Sequence, residues 1–230
     1  MLAAGCVLLT ATSVTCSAGR RAMLAACAIR ARINSSGSYI GGCYSAAVTK
    51  RHTILPRIWL ISDARNDAGL EAAIARLPRG SGFIYRHYHL AGPQRRARFD
   101  ALRRVARSAG HLVVLAGSAA VARRWKADGA YGDSQRLAHG PALLRLATAH
   151  SLRDLGRVRR ADAVLLSPVY ATRSHPDAPV LGAVRTNLLA VRSVVPVLAL
   201  GGLVARRAKP LRVHGWAGID GPAKRRRSAA

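Results

Sequence analysis

A chain of 230 residues, half of them hydrophobic, has the length of one α/β barrel or of two small domains, and no interior linker favours two. Its formal charge of +27 raises nucleic acid or an anionic membrane surface as partners. Only four of the 37 basic residues are lysines, however, and arginines such as Arg95, Arg96, Arg98, Arg103, Arg104 and Arg107 are spread along helical stretches with few aromatics between them. That distribution reads as solvated helix faces and argues against a nucleic-acid function.

Residues 1–54 form an extension outside the folded region: small, Ser/Thr/Ala/Gly/Cys-rich and without sustained periodicity. The apolar run Leu2–Leu9 lacks the basic residues that open a signal peptide, and no run of about 18 apolar residues supports a transmembrane helix. The extension is expected to be disordered, or to arise from a start codon assigned too far upstream. Cys6, Cys16, Cys27 and Cys43 all lie within it at spacings that fit no zinc site, so a reduced, cytoplasmic setting is the default expectation.

From Arg57 the pattern alternates between short apolar runs and helical faces. Ile58–Ser62 reads as the first strand, followed by Leu70, Ala73, Ile74 and Leu77 on one helical face. Phe83–Tyr85 is the second strand, and Phe99, Leu102, Val105, Ala106 and Ala109 line the next helix, stopped by Gly110. His111–Leu115 is the third strand, Ala119–Lys126 a short helix and Gly129–Tyr131 a weak fourth strand. The crossover around Ser134–Pro141 is too short for a full helix. Leu143–Ala149 is the fifth strand, with a capping-box spacing at Ser151–Asp154. Ala163–Leu166, Val197–Leu200 and Gly215–Ile219 are strands six to eight, and Leu181, Val184, Leu188 and Val191 are expected to face the core from the helix between six and seven. Eight strands in this order give an α/β fold: a single (β/α)8 TIM barrel over residues 55–221, with an irregular N-terminal extension and a basic tail at 222–230.

In such a barrel the site lies where the strands end. The ends read Asp63, Arg86 to His89, Gly117, Tyr131, His150 with Ser151, Thr172 to His175, and Gly201 with Gly202. Cationic, hydroxyl and backbone donors dominate and carboxylates are few, which suits a phosphorylated ligand. A Gly-Gly pair after a strand leaves N–H groups open to close approach by phosphate.

Three segments in order, Ala147–Ser151 (ATAHS), Ser167–Gly182 (SPVYATRSHPDAPVLG) and Val195–Leu203 (VPVLALGGL), resemble thiamine phosphate synthase and its relative, the thiazole tautomerase. The resemblance is strong over Ala147–Ile219, weaker from Arg57 to Tyr131 and absent before Leu55. It implies a transferase of thiamine biosynthesis that condenses hydroxymethylpyrimidine diphosphate with a thiazole phosphate, so the implied partners are phosphorylated pyrimidine and thiazole small molecules. Of the family's strand-two motif only Arg86 is kept, as a pyrophosphate ligand. Thr172, Arg173, Ser174 and His175 stand in the family's phosphate loop, with His175 in place of its lysine, and Gly201 and Gly202 hold the thiazole phosphate. His150 stands where the tautomerase uses histidine for proton transfer. The family binds Mg2+, but its Asn-Asp pair reads Ala116-Gly117 here and leaves Asp133 as the candidate metal ligand. The alternatives are a metal-free thiazole-phosphate tautomerase and a non-catalytic barrel that binds a phosphorylated ligand. A homo-oligomer is compatible with either.

Overall fold

The computed structural model describes residues 54–158, 160–172, 179–220 and 222. The extension up to residue 53, the loop residues Arg173, Ser174 and His175, and the tail beyond Pro222 lie outside the described residues.

Strands β1 (Ile58–Ile61), β2 (Gly82–Tyr85), β3 (Leu112–Ala116), β4 (Gly129–Gly132), β5 (Leu144–Ala149), β6 (Ala163–Leu166), β7 (Val197–Leu200) and β8 (Gly215–Gly218) pair in sequence order, all parallel. β8 pairs with β1, through Ile58 with Trp216 and Leu60 with Gly218, and closes the barrel. The expected (β/α)8 barrel is therefore the fold.

Strand alternation sorts the apolar residues into two layers. Trp59, Ile61, Ile84, Val114, Tyr131, Leu146, Leu165, Leu198 and Ala217 draw on every strand and fill the barrel interior. The intervening residues, among them Leu60, Phe83, Tyr85, Val113, Leu115, Val164 and Leu166, pack outward against the helices. Gly82 makes room for the largest interior side chain, since a Cβ there would stand 2.1 Å from the Trp59 ring. The Trp59 indole N–H donates to Pro56 O at 2.8 Å, so its one polar atom is satisfied.

A 3-10 turn (Ala64–Gly69) and helix α1 (Leu70–Ala75) follow β1, and α2 (Gly92–Ser108) follows β2. Pro93 opens α2, Phe99, Leu102 and Ala106 bury its apolar stripe, and Gly110 at φ 75° ends it. The later crossovers are short: α3 (Ala119–Arg124), α4 (Ser134–Leu137), α5 (Leu152–Arg157) and α7 (Ala205–Ala208) flank the longer α6 (Gly182–Val191). Ser151 caps α5 by accepting from Asp154 N–H at 3.2 Å, as its spacing predicts.

Of the face expected of α6, only Leu181 packs against the core. Thr186 and Leu189 are buried, whereas Val184, Leu188 and Val191 are 75%, 65% and 80% exposed. α6 is apolar on more than one side, so the heptad-like row read from the sequence competes with a second row. The Thr186 hydroxyl donates to Gly182 O at 2.7 Å, which removes the cost of burying it. The next helix, α7, is one turn long.

No helix among the described residues is long and apolar enough to cross a membrane.

Candidate active site

Of the expected groups, those among the described residues lie at the strand ends of one mouth of the barrel, and Arg173, Ser174 and His175 lie outside them. After β1 come Ser62 and Asp63. Asp63 caps the 3-10 turn by accepting from Arg65 N–H at 3.3 Å, and Asn66 Oδ1 accepts from Asp63 N–H at 2.8 Å. Asn66 Nδ2 also donates to Ile61 O and Ile219 O, tying the ends of β1 and β8 together.

Arg86 leaves β2 with its backbone held on both sides. Its N–H donates to Ser62 Oγ at 2.8 Å, and its carbonyl accepts from Arg95 Nη2 at 3.0 Å. Its Nη2 pairs with Asp63 Oδ2 at 3.3 Å. Burial alone would raise the Asp63 carboxyl, but hydrogen bonds from Arg65 and the charges of Arg65 and Arg86 hold it below the usual range. The Tyr131 phenol, buried at the end of β4, is pushed up by its burial, while the Arg86 charge and a hydrogen bond with the Arg86 side chain oppose the shift. Among the described residues Arg86 Nε is buried and has no hydrogen-bond partner. Arg103 Nε and Arg145 Nε share that property, but Arg86 is the one whose guanidinium, held by Asp63 and Tyr131, follows a strand end at the barrel mouth, where it has the chemistry of an anion ligand.

His150 follows β5 and is exposed. Its Nδ1 lies 2.8 Å from Ser167 O, a group that can only accept, so Nδ1 carries the hydrogen. Nε2 is then the nitrogen free to exchange a proton. Asp154 accepts from His150 N–H at 2.9 Å, and that bond, with others from Ser151, keeps its carboxyl low.

Gly201 and Gly202 follow β7 at φ 108° and 60°. Their carbonyls are used: Gly201 O accepts from Tyr170 N–H at 3.2 Å, and Gly202 O from Arg207 Nη1 at 3.0 Å. Among the described residues neither N–H of the pair donates to a backbone carbonyl. Thr172, in the loop after β6, is half-buried.

The acidic residues near this mouth have other partners. Asp133 caps α4, accepting from the N–H groups of Gln135 and Arg136. Asp67 accepts from His87 and Arg98, each at 2.8 Å. No group of three or more His, Cys, Asp or Glu that would hold a metal ion occurs among the described residues. Magnesium, which the resemblance implies, is commonly held by one or two carboxylates together with substrate phosphates and water, and Asp63 and Asp133 are the carboxylates at these strand ends.

A family model described as thiamine monophosphate synthase matches residues 58–221, the whole of the barrel. The chain belongs to this family. A curated relative from Aquifex aeolicus (strain VF5), named "Putative thiamine-phosphate synthase 2", is 34% identical over 76 residues, 32% of this chain and 41% of that protein. The match thus spans less than half of the relative. Thiamine phosphate pyrophosphorylase from Pyrococcus furiosus superposes with a TM-score of 0.61 at 22% identity, covering 71% of this chain and 85% of that one. The YdjI aldolase from Escherichia coli K12 reaches 0.51 at 11% identity, with coverage of 72% and 75%. Both structures share the barrel, and an aldolase among them illustrates how many chemistries this fold carries. The family supports a thiamine-related function for the chain.

The structure brings Arg86, Tyr131, His150, Thr172, Gly201 and Gly202 to one end of the barrel. It adds three groups that the sequence did not single out: Ser62, Asp67 and Arg98. A serine continuing a buried apolar strand was the one available signal, because a fully buried hydroxyl needs a built partner.

Proposed function

We propose that the chain condenses hydroxymethylpyrimidine diphosphate with a thiazole phosphate, forming the bond from the thiazole nitrogen to the pyrimidine methylene carbon as that carbon's bond to the diphosphate oxygen breaks. The bonding electrons leave with pyrophosphate, whose growing charge must be met by fixed donors. Arg86 is the donor this reading rests on, because its Nε is buried at the mouth without a protein partner while Asp63 steadies Nη2. Arg173 and His175 would share the pyrophosphate, with Thr172 and Ser174 as hydroxyl donors. The amides of Gly201 and Gly202 would hold the thiazole phosphate. No step is routed through magnesium, and Asp133 caps α4 through Oδ1 alone. The test is pyrophosphate release from the two substrates by the purified chain, with thiamine phosphate identified by mass. Release equal in the wild type and Arg86→Ala would overturn the assignment of Arg86.

A second reading is favoured by His150. With Nδ1 held by Ser167 O, Nε2 would take a proton and return it elsewhere on the ring, the two proton transfers that a thiazole-phosphate tautomerase requires. Isomerisation of a thiazole phosphate that fails with His150→Ala and proceeds without the pyrimidine substrate would select this reading over condensation.

A further inference from the structure

Ser62 and His87 are buried almost completely, at 0% and 1% exposure, directly beneath Arg86. Ser62 Oγ lies 2.7 Å from His87 Nδ1, and His87 Nε2 lies 2.8 Å from Asp67 Oδ1. Arg98, from α2, donates from Nε to the same Asp67 oxygen at 2.8 Å and from Nη2 to Asp67 O at 2.9 Å, and its Nη1 and Nη2 donate to Glu71.

The donor directions follow from elementary chemistry. Burial would raise the Asp67 carboxyl, but hydrogen bonds and charge from His87 and Arg98 keep it low, so it is ionised and only accepts. His87 Nε2 therefore carries the hydrogen. In the neutral ring Nδ1 then accepts, so the Ser62 hydroxyl donates to it. The Ser62 oxygen is left to accept from Arg86 N–H. Every bond in the row points from Arg86 toward Asp67, an arrangement in which each bond polarises the next.

The ring is fixed in other ways as well. Tyr85 stacks on it at 4.7 Å with a 12° interplanar angle, and the His89 ring stands 4.9 Å away. His87 itself sits at φ 26°, a conformation that non-glycine residues rarely adopt. Strain next to Arg86 persists because the buried bonds over-determine the loop.

We propose that Ser62 and His87 are positioning residues that hold the Arg86 peptide, and through it the guanidinium, against an anionic ligand, and that this hold requires a neutral His87 ring. The inference rests on the reading of Arg86 as the pyrophosphate ligand. Neither residue touches the ligand. A protonated ring would turn Nδ1 into a donor, and the Ser62 oxygen would face two donors with no acceptor for its own hydrogen. Burial lowers the His87 ring's proton affinity, with Asp67 opposing and His89 and Arg98 adding to the effect, which agrees with a neutral ring at neutral pH.

The experiment is calorimetric titration of the full chain with inorganic pyrophosphate between pH 5.5 and 8, for the wild type, Ser62→Ala, Asp67→Asn and Arg86→Ala. Arg86→Ala carries the ligand's own protonation, so the wild-type to Arg86→Ala affinity ratio isolates the protein. That ratio is expected to fall several-fold toward pH 5.5. In Ser62→Ala it is expected to be about fivefold or more lower at pH 7.5 and flat with pH, at the order of one lost hydrogen bond. In Asp67→Asn the acid fall should move to lower pH, because the carboxylate is what favours the charged ring; this variant decides the matter if Ser62→Ala does not fold. Ser62→Ala or Asp67→Asn with the wild-type affinity and profile, while Arg86→Ala binds weakly, would overturn the positioning role. Equal binding by Arg86→Ala and the wild type would instead overturn the assignment of Arg86.

Discussion

A Cβ on Gly202 would stand 2.5 Å from the carbonyl oxygen of Ala171, in the loop after β6. Gly202 also sits at φ 60°, so glycine is required there twice, by backbone conformation and by contact with the loop carrying Thr172. Gly202→Ala should push the two loops apart, weaken binding of a thiazole phosphate at least tenfold and cost about 1–3 kcal/mol of stability. Calorimetry with the thiazole phosphate and a thermal melt measure both. Unchanged affinity would remove the Gly201–Gly202 pair from the phosphate site.

The barrel was legible in the sequence because its strands are short apolar runs that stop at Gly, Ser, Asp or His, and the strand ends named the mouth residues directly. What escaped was whatever depends on orientation. The periodicity of α6 offered two apolar rows and gave no reason to prefer Thr186 and Leu189 over Val184 and Leu188. Asp133 was legible as a carboxylate near the mouth, but its bonds to the amides of α4 are a property of the turn. The row from Arg86 to Asp67 joins residues 62, 67, 86, 87 and 98, which no local pattern links.

The packing of α6 gives a direct check. Val184→Ser and Leu188→Ser alter exposed side chains and should change stability by no more than about 0.5 kcal/mol each. Leu189→Ala empties a buried position and should cost about 2–4 kcal/mol. Denaturant titration of the three variants distinguishes the faces. A large loss with Leu188→Ser and none with Leu189→Ala would restore the face read from the sequence.

Acid should destabilise the fold before its carboxylates titrate. Burial lowers the proton affinity of His87 and of His111, whose ring bonds Ile74 O at 3.2 Å. The unfolded chain therefore takes up protons first, near the ordinary histidine value of 6.5. Stability is full above that value and declines as pH falls through it toward the lowered folded values. Thermal midpoints between pH 8 and 5 should drop with falling pH, and less steeply in His111→Gln. A midpoint independent of pH over this range would contradict the burial of neutral rings.

The central claim, that Arg86 at the barrel mouth meets the charge of a departing pyrophosphate, is tested by one assay. Pyrophosphate release from hydroxymethylpyrimidine diphosphate and thiazole phosphate is followed for the wild type and Arg86→Ala, each with and without a chelator. The account predicts slow release, reduced about tenfold to a hundredfold by Arg86→Ala and little by the chelator. Fast release that the chelator abolishes and Arg86→Ala leaves intact would contradict it.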